Sequence, residues 1–77
     1  MKIWKAYDEC HDLGYFKDQS KALAILVQEL HDNFSGEIAT KTITEAWNVY
    51  VNLKDASKII QLLNDFCLYI QEIAVIE

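Results

Sequence analysis

The fold is decided by the last stretch of the chain, residues 55–77, which reads DASKIIQLLNDFCLYIQEIAVIE. Apolar residues recur in it at steps of 4, 3, 4 and 3, the spacing of one face of an α-helix. This stripe consists of Ile59, Leu63, Phe66, Ile70 and Ile73. Further apolar residues flank the stripe on both sides, and a helix that is apolar nearly all round is buried on several sides. The pattern therefore predicts one long central helix over residues 55–76.

The size of the chain limits how well that helix can be covered. The sequence has 77 residues without a break in composition, so residues 1–77 are expected to form a single domain. A chain this short hides roughly 60–65 % of its surface on folding, yet 52 % of its residues are hydrophobic. A second copy is the natural cover for the surplus, and the sequence predicts a homodimer. The predicted dimer interface is Phe66, Tyr69, Ile70, Ile73 and Ile76.

The charge pattern argues against two classes of partner. The net charge is −5, from twelve acidic residues and seven lysines, and arginine is absent. Without arginine or a lysine cluster, the sequence predicts neither nucleic-acid binding nor attachment to an anionic membrane.

The longest unbroken apolar run, Ala22 to Val27, is too short to span a bilayer. No signal peptide is recognised, and Cys10 and Cys67 resemble small core residues, so the expected location is the cytoplasm.

The rest of the chain predicts three more helices, which gives an all-α class. Proline is absent and glycine occurs twice, which suits helices joined by short turns. The predicted compact bundle has four helices, at residues 2–13, 18–33, 42–53 and 55–76, with a loop at 35–41. Gly14 is expected to stop the first helix. The alternative for residues 1–7 is a short strand, because polar and apolar residues partly alternate there, but a lone strand would have no obvious partner.

The third helix has the clearest start signal. Thr42 followed by Glu45 fits a capping box, in which each side chain bonds the backbone amide of the other residue. The spacing of Ile43, Ala46, Trp47, Tyr50 and Leu53 then predicts the buried face. Several β-branched residues in the same segment would also suit a strand.

The segment richest in potential catalytic or metal-binding side chains is residues 8–12, DECHD. Residues 29–32, ELHD, repeat part of this pattern. Structural zinc prefers several thiolates or imidazoles, and Cys10 belongs to the apolar side of the predicted helix. Neighbours such as Cys10 and His11 point about 100° apart on a helix, which does not suit a nucleophile and its base. The sequence therefore predicts no metal, no cofactor and no enzymatic activity.

The acids of these two segments lie towards the ends of their predicted helices, where negative charge opposes the helix dipole. They are Asp8, Glu9, Asp12, Glu29 and Asp32. Charges that oppose the helix dipole without compensation often mark a functional surface. One hypothesis is therefore that these acids bind lysines or arginines of a partner protein. The other is a solvated face that only keeps the chain soluble.

These observations favour a small acidic protein–protein interaction module, such as an adaptor, an inhibitor or a regulatory subunit, that forms a homodimer. An alternative is an acidic decoy that imitates nucleic acid and inhibits a nucleic-acid enzyme, which predicts a row of acids on one face. A third is a helix-turn-helix DNA binder with the third helix as its recognition helix. In composition the chain is similar to the small, acidic, arginine-poor helical proteins common in phages and mobile elements, and that likeness implies no activity.

Overall fold

The computed structural model describes residues 1–34, 36 and 40–76, and it pairs helices with an antiparallel sheet. In chain order the elements are β1 (Lys2–Asp8), β2 (Asp12–Phe16), α1 (Gln19–Phe34), α2 (Thr40–Leu53), α3 (Ser57–Asp65) and β3 (Leu68–Ala74). The strand order is β2-β1-β3, so the N-terminal strand is central and pairs with the C-terminal one. The predicted all-α bundle of four helices is therefore wrong, because 2–13 and the end of 55–76 are strands.

The predicted first helix is a β-hairpin, and the strand alternative for residues 1–7 is correct. The connection from β1 to β2 is closed by Asp8, whose Oδ1 accepts hydrogen bonds from the backbone N–H of Cys10 (2.8 Å) and His11 (2.6 Å). Aspartate closes turns in this way without glycine. Gly14 does not stop a helix; it lies in β2 opposite Ala6 with φ at +148°, a conformation that favours glycine.

The predicted last helix, 55–76, ends eleven residues early, at Asp65. α3 stops at Asp65, and a tight turn follows in which the Cys67 N–H donates to the Asn64 carbonyl at 3.1 Å. Cys67 adopts a left-handed conformation, with φ at +62°, and β3 begins at the next residue. Both faces of β3 carry apolar residues, which is why the strand has no simple alternation and resembles part of a helix.

The two middle helices match their predictions closely. α1 spans Gln19–Phe34 against a predicted 18–33, and the carbonyl of Asp18 accepts its first helical bond from Ala22. α2 begins at Thr40, so Thr42 lies inside the helix and the predicted capping box is wrong. Leu53 is 71 % exposed, which contradicts its expected place in the core. Of the predicted loop 35–41, residues 35 and 37–39 lie outside the described residues.

The core forms between the sheet and the helices. α1 packs across all three strands, α3 packs on β3, and α2 packs on α3. The buried residues are Ala6, Ala22, Leu23, Leu26, Leu30, Ile43, Ala46, Ile59, Leu63 and Leu68. The result is a slab of 42 × 31 × 15 Å with its core on one face of the sheet, which we call the inner face. Within the described residues, no helix has the length and apolarity needed to cross a membrane.

Candidate functional site

A pocket of about 210 Å³ opens at the end of the slab where the β1–β2 turn meets the turn between α3 and β3. We call it the hairpin pocket. It is lined by Asp8, Glu9, Cys10, Asn33, Phe34, Phe66, Cys67 and Leu68. Three separate segments of the chain meet there, so the pocket exists only in the folded protein. The sequence pattern placed residues 8–12 on a helix and gave no indication of this meeting.

The floor of the hairpin pocket is aromatic. Phe34, the last residue of α1, lies against Phe66, which follows α3, with ring centroids 5.1 Å apart and planes at 56°. Leu68 lies beside them and is 3 % exposed. Tilted ring pairs of this kind are favourable beyond the apolar area that they bury. The floor is therefore a fixed apolar surface at the ends of two helices.

The rim of the pocket is acidic. The Asp8 carboxylate accepts hydrogen bonds from the backbone N–H groups of Cys10 and His11, and these bonds hold the pKa of Asp8 below its usual value. Asp8 is therefore a charged, fixed group at neutral pH. Glu9 follows it in the turn, is exposed, and accepts a hydrogen bond from the thiol of Cys67. A thiol is a weak donor, so the Glu9 carboxylate keeps most of its capacity to bind a cation.

Two thiols belong to the same pocket. Cys10 and Cys67 are both exposed and both free, so their expected place in the core is wrong. The hydrogen bond from the Cys67 thiol to Glu9 raises the pKa of Cys67, because ionisation would place a thiolate beside a carboxylate. The hydroxyl of Tyr69 donates a hydrogen bond to the sulfur of Cys67, and this bond raises the pKa of Tyr69.

The five acids predicted to bind a partner do not form one patch. Asp8 and Glu9 line the hairpin pocket, and Glu29 adjoins it through Asn33, whose Nδ2 donates to Glu29 Oε2 at 2.7 Å. Asp12 instead forms an ion pair with Lys5 at 3.2 Å, on the sheet. Asp32 accepts from Gln28 along α1 at 3.0 Å. The structure thus brings three of the five acids to one end of the molecule.

The five residues predicted as a dimer interface are also divided. Phe66 lies in the floor of the hairpin pocket, and Ile70 packs against the core. Tyr69 and Ile73 point to the opposite face of β3, and Ile76, beyond the strand, is 97 % exposed. These residues share no single surface, because the helix that would have aligned them is partly a strand.

A second cleft, of about 220 Å³, lies between α1 and α2. Its apolar lining includes Val27, Ile43 and Trp47, and Gln28 and His31 lie at its polar side. The sequence pattern assigned these apolar residues to the core. Among the described residues that line this cleft, His31 is the one titratable side chain, and it is partly buried.

Comparison with known proteins leaves the site to be interpreted from its chemistry. No protein-family model matches the chain, and no curated protein or solved structure is significantly similar to it. Among the residues that the structure describes, no group of three or more histidine, cysteine, aspartate or glutamate side chains is placed to hold a metal ion.

Proposed function

We propose that this chain is a protein-interaction module whose hairpin pocket binds a basic side chain of a partner protein. The observation that carries the proposal is the combination of an acidic rim, Asp8 and Glu9, with an aromatic floor, Phe34 and Phe66. An adaptor, an inhibitor and a regulatory subunit would each act in this way, by occupying a surface rather than by catalysis.

Lysine and arginine fit such a pocket because they combine an apolar stem with a charged end. The stem can lie on the two phenylalanine rings, and a cation over a ring gains about 0.5–1 kcal/mol at an exposed site. The pocket volume of about 210 Å³ is smaller than the roughly 300–1,000 Å³ of small-molecule sites. It therefore suits one side chain of a larger partner.

The surroundings of the pocket favour positive charge as well. α1 ends at Phe34 and α3 ends at Asp65, so the negative ends of two helix dipoles lie beside the pocket. The net charge of −5 would speed the encounter with a basic protein. Two free thiols are in keeping with a reducing compartment, which supports a cytoplasmic location.

The test is an NMR titration of the ¹⁵N-labelled full chain with short peptides that carry lysine or arginine beside an apolar residue. We expect amide shifts at Glu9, Cys10, Cys67 and Leu68, and weaker binding at high salt because the attraction is electrostatic. A peptide with glutamine in place of the basic residue should cause no shifts there.

A pair of variants locates the binding. Glu9→Gln should weaken binding of the basic peptide several-fold, whereas Glu45→Gln, which removes the same charge from α2 outside the pocket, should leave it unchanged. Equal weakening by both variants would mean that net charge alone attracts the peptide. That result, or shifts confined to other residues, would refute the proposal.

A further inference from the structure

The face of the sheet opposite the core, which we call the outer face, carries apolar side chains that no described helix covers. Its residues follow from the strand register, because paired residues share a face and Ala6 belongs to the core. Ile3 pairs with Ile73 and Tyr7 pairs with Tyr69, whose rings lie 5.4 Å apart. Tyr15 on β2 lies on the same face and is 56 % exposed.

The apolar character continues past the end of the sheet. The Val75 N–H donates to the Met1 carbonyl at 2.8 Å, which extends the register so that both side chains join the outer face. Met1 is 63 % exposed and Val75 is 37 % exposed. An antiparallel sheet with helices on one face commonly has a polar, solvated second face. This sheet departs from that rule along most of β1 and β3.

The charge on the outer face is balanced. Lys5 is paired with Gln71 in the centre of the sheet, and its Nζ lies 3.2 Å from Asp12 and 5.0 Å from the centre of the Tyr7 ring. The hydrogen bond and ion pair with Asp12 raise the pKa of Lys5, so Lys5 is charged at neutral pH and lies beside an acidic side chain. The outer face is therefore close to neutral on a chain whose net charge is −5.

We propose that a second copy of this chain packs on the outer face, sheet against sheet, with the helices on the outside. Two chains of charge −5 repel each other over most of their surface, and the balanced outer face is where that repulsion is least. A two-fold axis near Lys5 would set the isoleucine pair of one copy over the tyrosine pair of the other. The same axis sets the two Lys5–Asp12 ion pairs beside each other with opposite polarity.

The area sets the strength of this dimer. Strands of 7, 5 and 7 residues give a sheet face of roughly 23 × 14 Å at ~3.3 Å per residue and ~4.8 Å between strands. The area of this face, roughly 320 Å², is well below the ~800 Å² that each partner buries in a standard interface. Met1 and Val75 extend the patch only at one end. The dimer is therefore weak, and it forms with rising protein concentration rather than permanently.

This association is independent of the partner site proposed above, since the hairpin pocket lies on other residues. The two also respond to salt in opposite ways. Salt screens the attraction between the hairpin pocket and a basic peptide, but it also screens the repulsion between two acidic copies. High salt should weaken the first interaction and strengthen the second.

The experiment is sedimentation equilibrium of the full chain from low micromolar to near millimolar concentration, with a reductant to prevent cross-links between exposed thiols. We expect the mass to rise from 8.9 kDa towards twice that value. Ile73→Lys and Tyr15→Lys should keep the chain monomeric, because each places a charge on the outer face. Ile25→Lys is the matched control, since Ile25 is 38 % exposed on α1, and it should dimerise like the wild type.

Circular dichroism shows whether each variant is folded. If Ile73→Lys unfolds the chain, Tyr15→Lys decides, because its side chain already lies largely in solvent on an edge strand. A wild type that stays at 8.9 kDa throughout would overturn the proposal. So would a dimer that survives both outer-face variants, or one that Ile25→Lys abolishes equally.

Discussion

Cys67 links the local backbone to the chemistry of the hairpin pocket. Its left-handed conformation ends the turn after α3, and its thiol donates to Glu9 across the pocket. Left-handed backbone is costly for residues other than glycine and asparagine, so the surrounding turn must hold Cys67 in place. This one residue therefore marks where β3 begins and places its thiol beside Glu9.

Glu9→Gln should make Cys67 more reactive. The glutamine oxygen can still accept the thiol proton, but it carries no negative charge, so the pKa of Cys67 falls towards its ordinary value. If the pKa of Cys67 falls by about one, the thiolate fraction at a pH below the pKa rises about tenfold. The measurement is the rate of alkylation by iodoacetamide in a Cys10→Ser background, which leaves one thiol. Glu45→Gln in the same background is the control, and an unchanged rate in Glu9→Gln would show that Glu9 does not hold the thiol.

Asp8 should stabilise the hairpin through its acceptor oxygen and its charge. Asp8→Ala loses both backbone bonds and should lower the urea midpoint at neutral pH, whereas Asp8→Asn keeps an acceptor and should lower it less. The folded-state pKa of Asp8 lies below its ordinary value of 3.8, so the charge contributes stability above that value. That part is lost as the pH falls through the folded pKa.

The measurement for Asp8 is urea unfolding of the wild type and Asp8→Asn at neutral pH and at about pH 2. The difference between the two proteins should be present at neutral pH and should shrink in acid. A difference that stays constant over this range would mean that the charge of Asp8 is not stabilised in the folded state.

At the scale of elements, the turn between α2 and α3 contains a second strained position. Lys54 has φ at +58°, and its N–H donates to the Tyr50 carbonyl at 3.0 Å as the last bond of α2. Glycine is preferred where a helix ends in this conformation. Lys54→Gly should therefore stabilise the chain by about 0.5–1 kcal/mol.

Lys54→Ala separates the backbone effect from the loss of the lysine side chain. Alanine removes the charge but keeps the Cβ that strains a left-handed residue, so it should leave stability unchanged or slightly lower. Urea unfolding compares the three proteins. If glycine and alanine shift the midpoint equally, the conformation of residue 54 does not limit the turn.

How far the sequence predicts an element depends on whether its apolar residues lie on one side. α1 was predictable because Leu23, Leu26 and Leu30 form one buried stripe and the opposite side, apart from Ile25, is polar. β3 was not, because Leu68 and Ile70 face the core while Tyr69 and Ile73 face outwards. That arrangement removes the simple alternation of a half-buried strand, and the spacing that results fits a helix as well as a strand.

The candidate site was predictable only in part for a related reason. The acidity of residues 8–12 is visible in the sequence, and it indicated a surface for a basic partner. The aromatic floor was not visible, because Phe34 and Phe66 are 32 positions apart and meet only through the packing of α1 and α3. The pairing of β1 with β3 positions the β1–β2 turn and the turn after α3. This pairing joins residues far apart in the sequence, so no local sequence pattern indicates it.

For the molecule as a whole, two kinds of surface follow from one layered design. The helices and the inner face share a single core, which leaves the outer face without a described helix and brings the β1–β2 turn and the turn after α3 together at one end. The acidic hairpin pocket and the balanced outer face differ in charge, so they suit different partners. A chain with both could bind another protein while it is paired with its own copy.

The stability of the whole chain should depend on a few central leucines. A domain of 77 residues is expected to have about 4–12 kcal/mol of total stability at ~0.05–0.15 kcal/mol per residue. Leu26 is fully buried at the centre of α1 against the sheet, and Leu26→Ala should cost about 2–5 kcal/mol through lost burial and the cavity left behind. Leu53→Ala makes the same chemical change at a side chain that is 71 % exposed, and it should shift stability by less than about 0.5 kcal/mol. Urea unfolding of both variants at one protein concentration measures the contrast, and losses of equal size would mean that the core is not centred on α1 and the inner face.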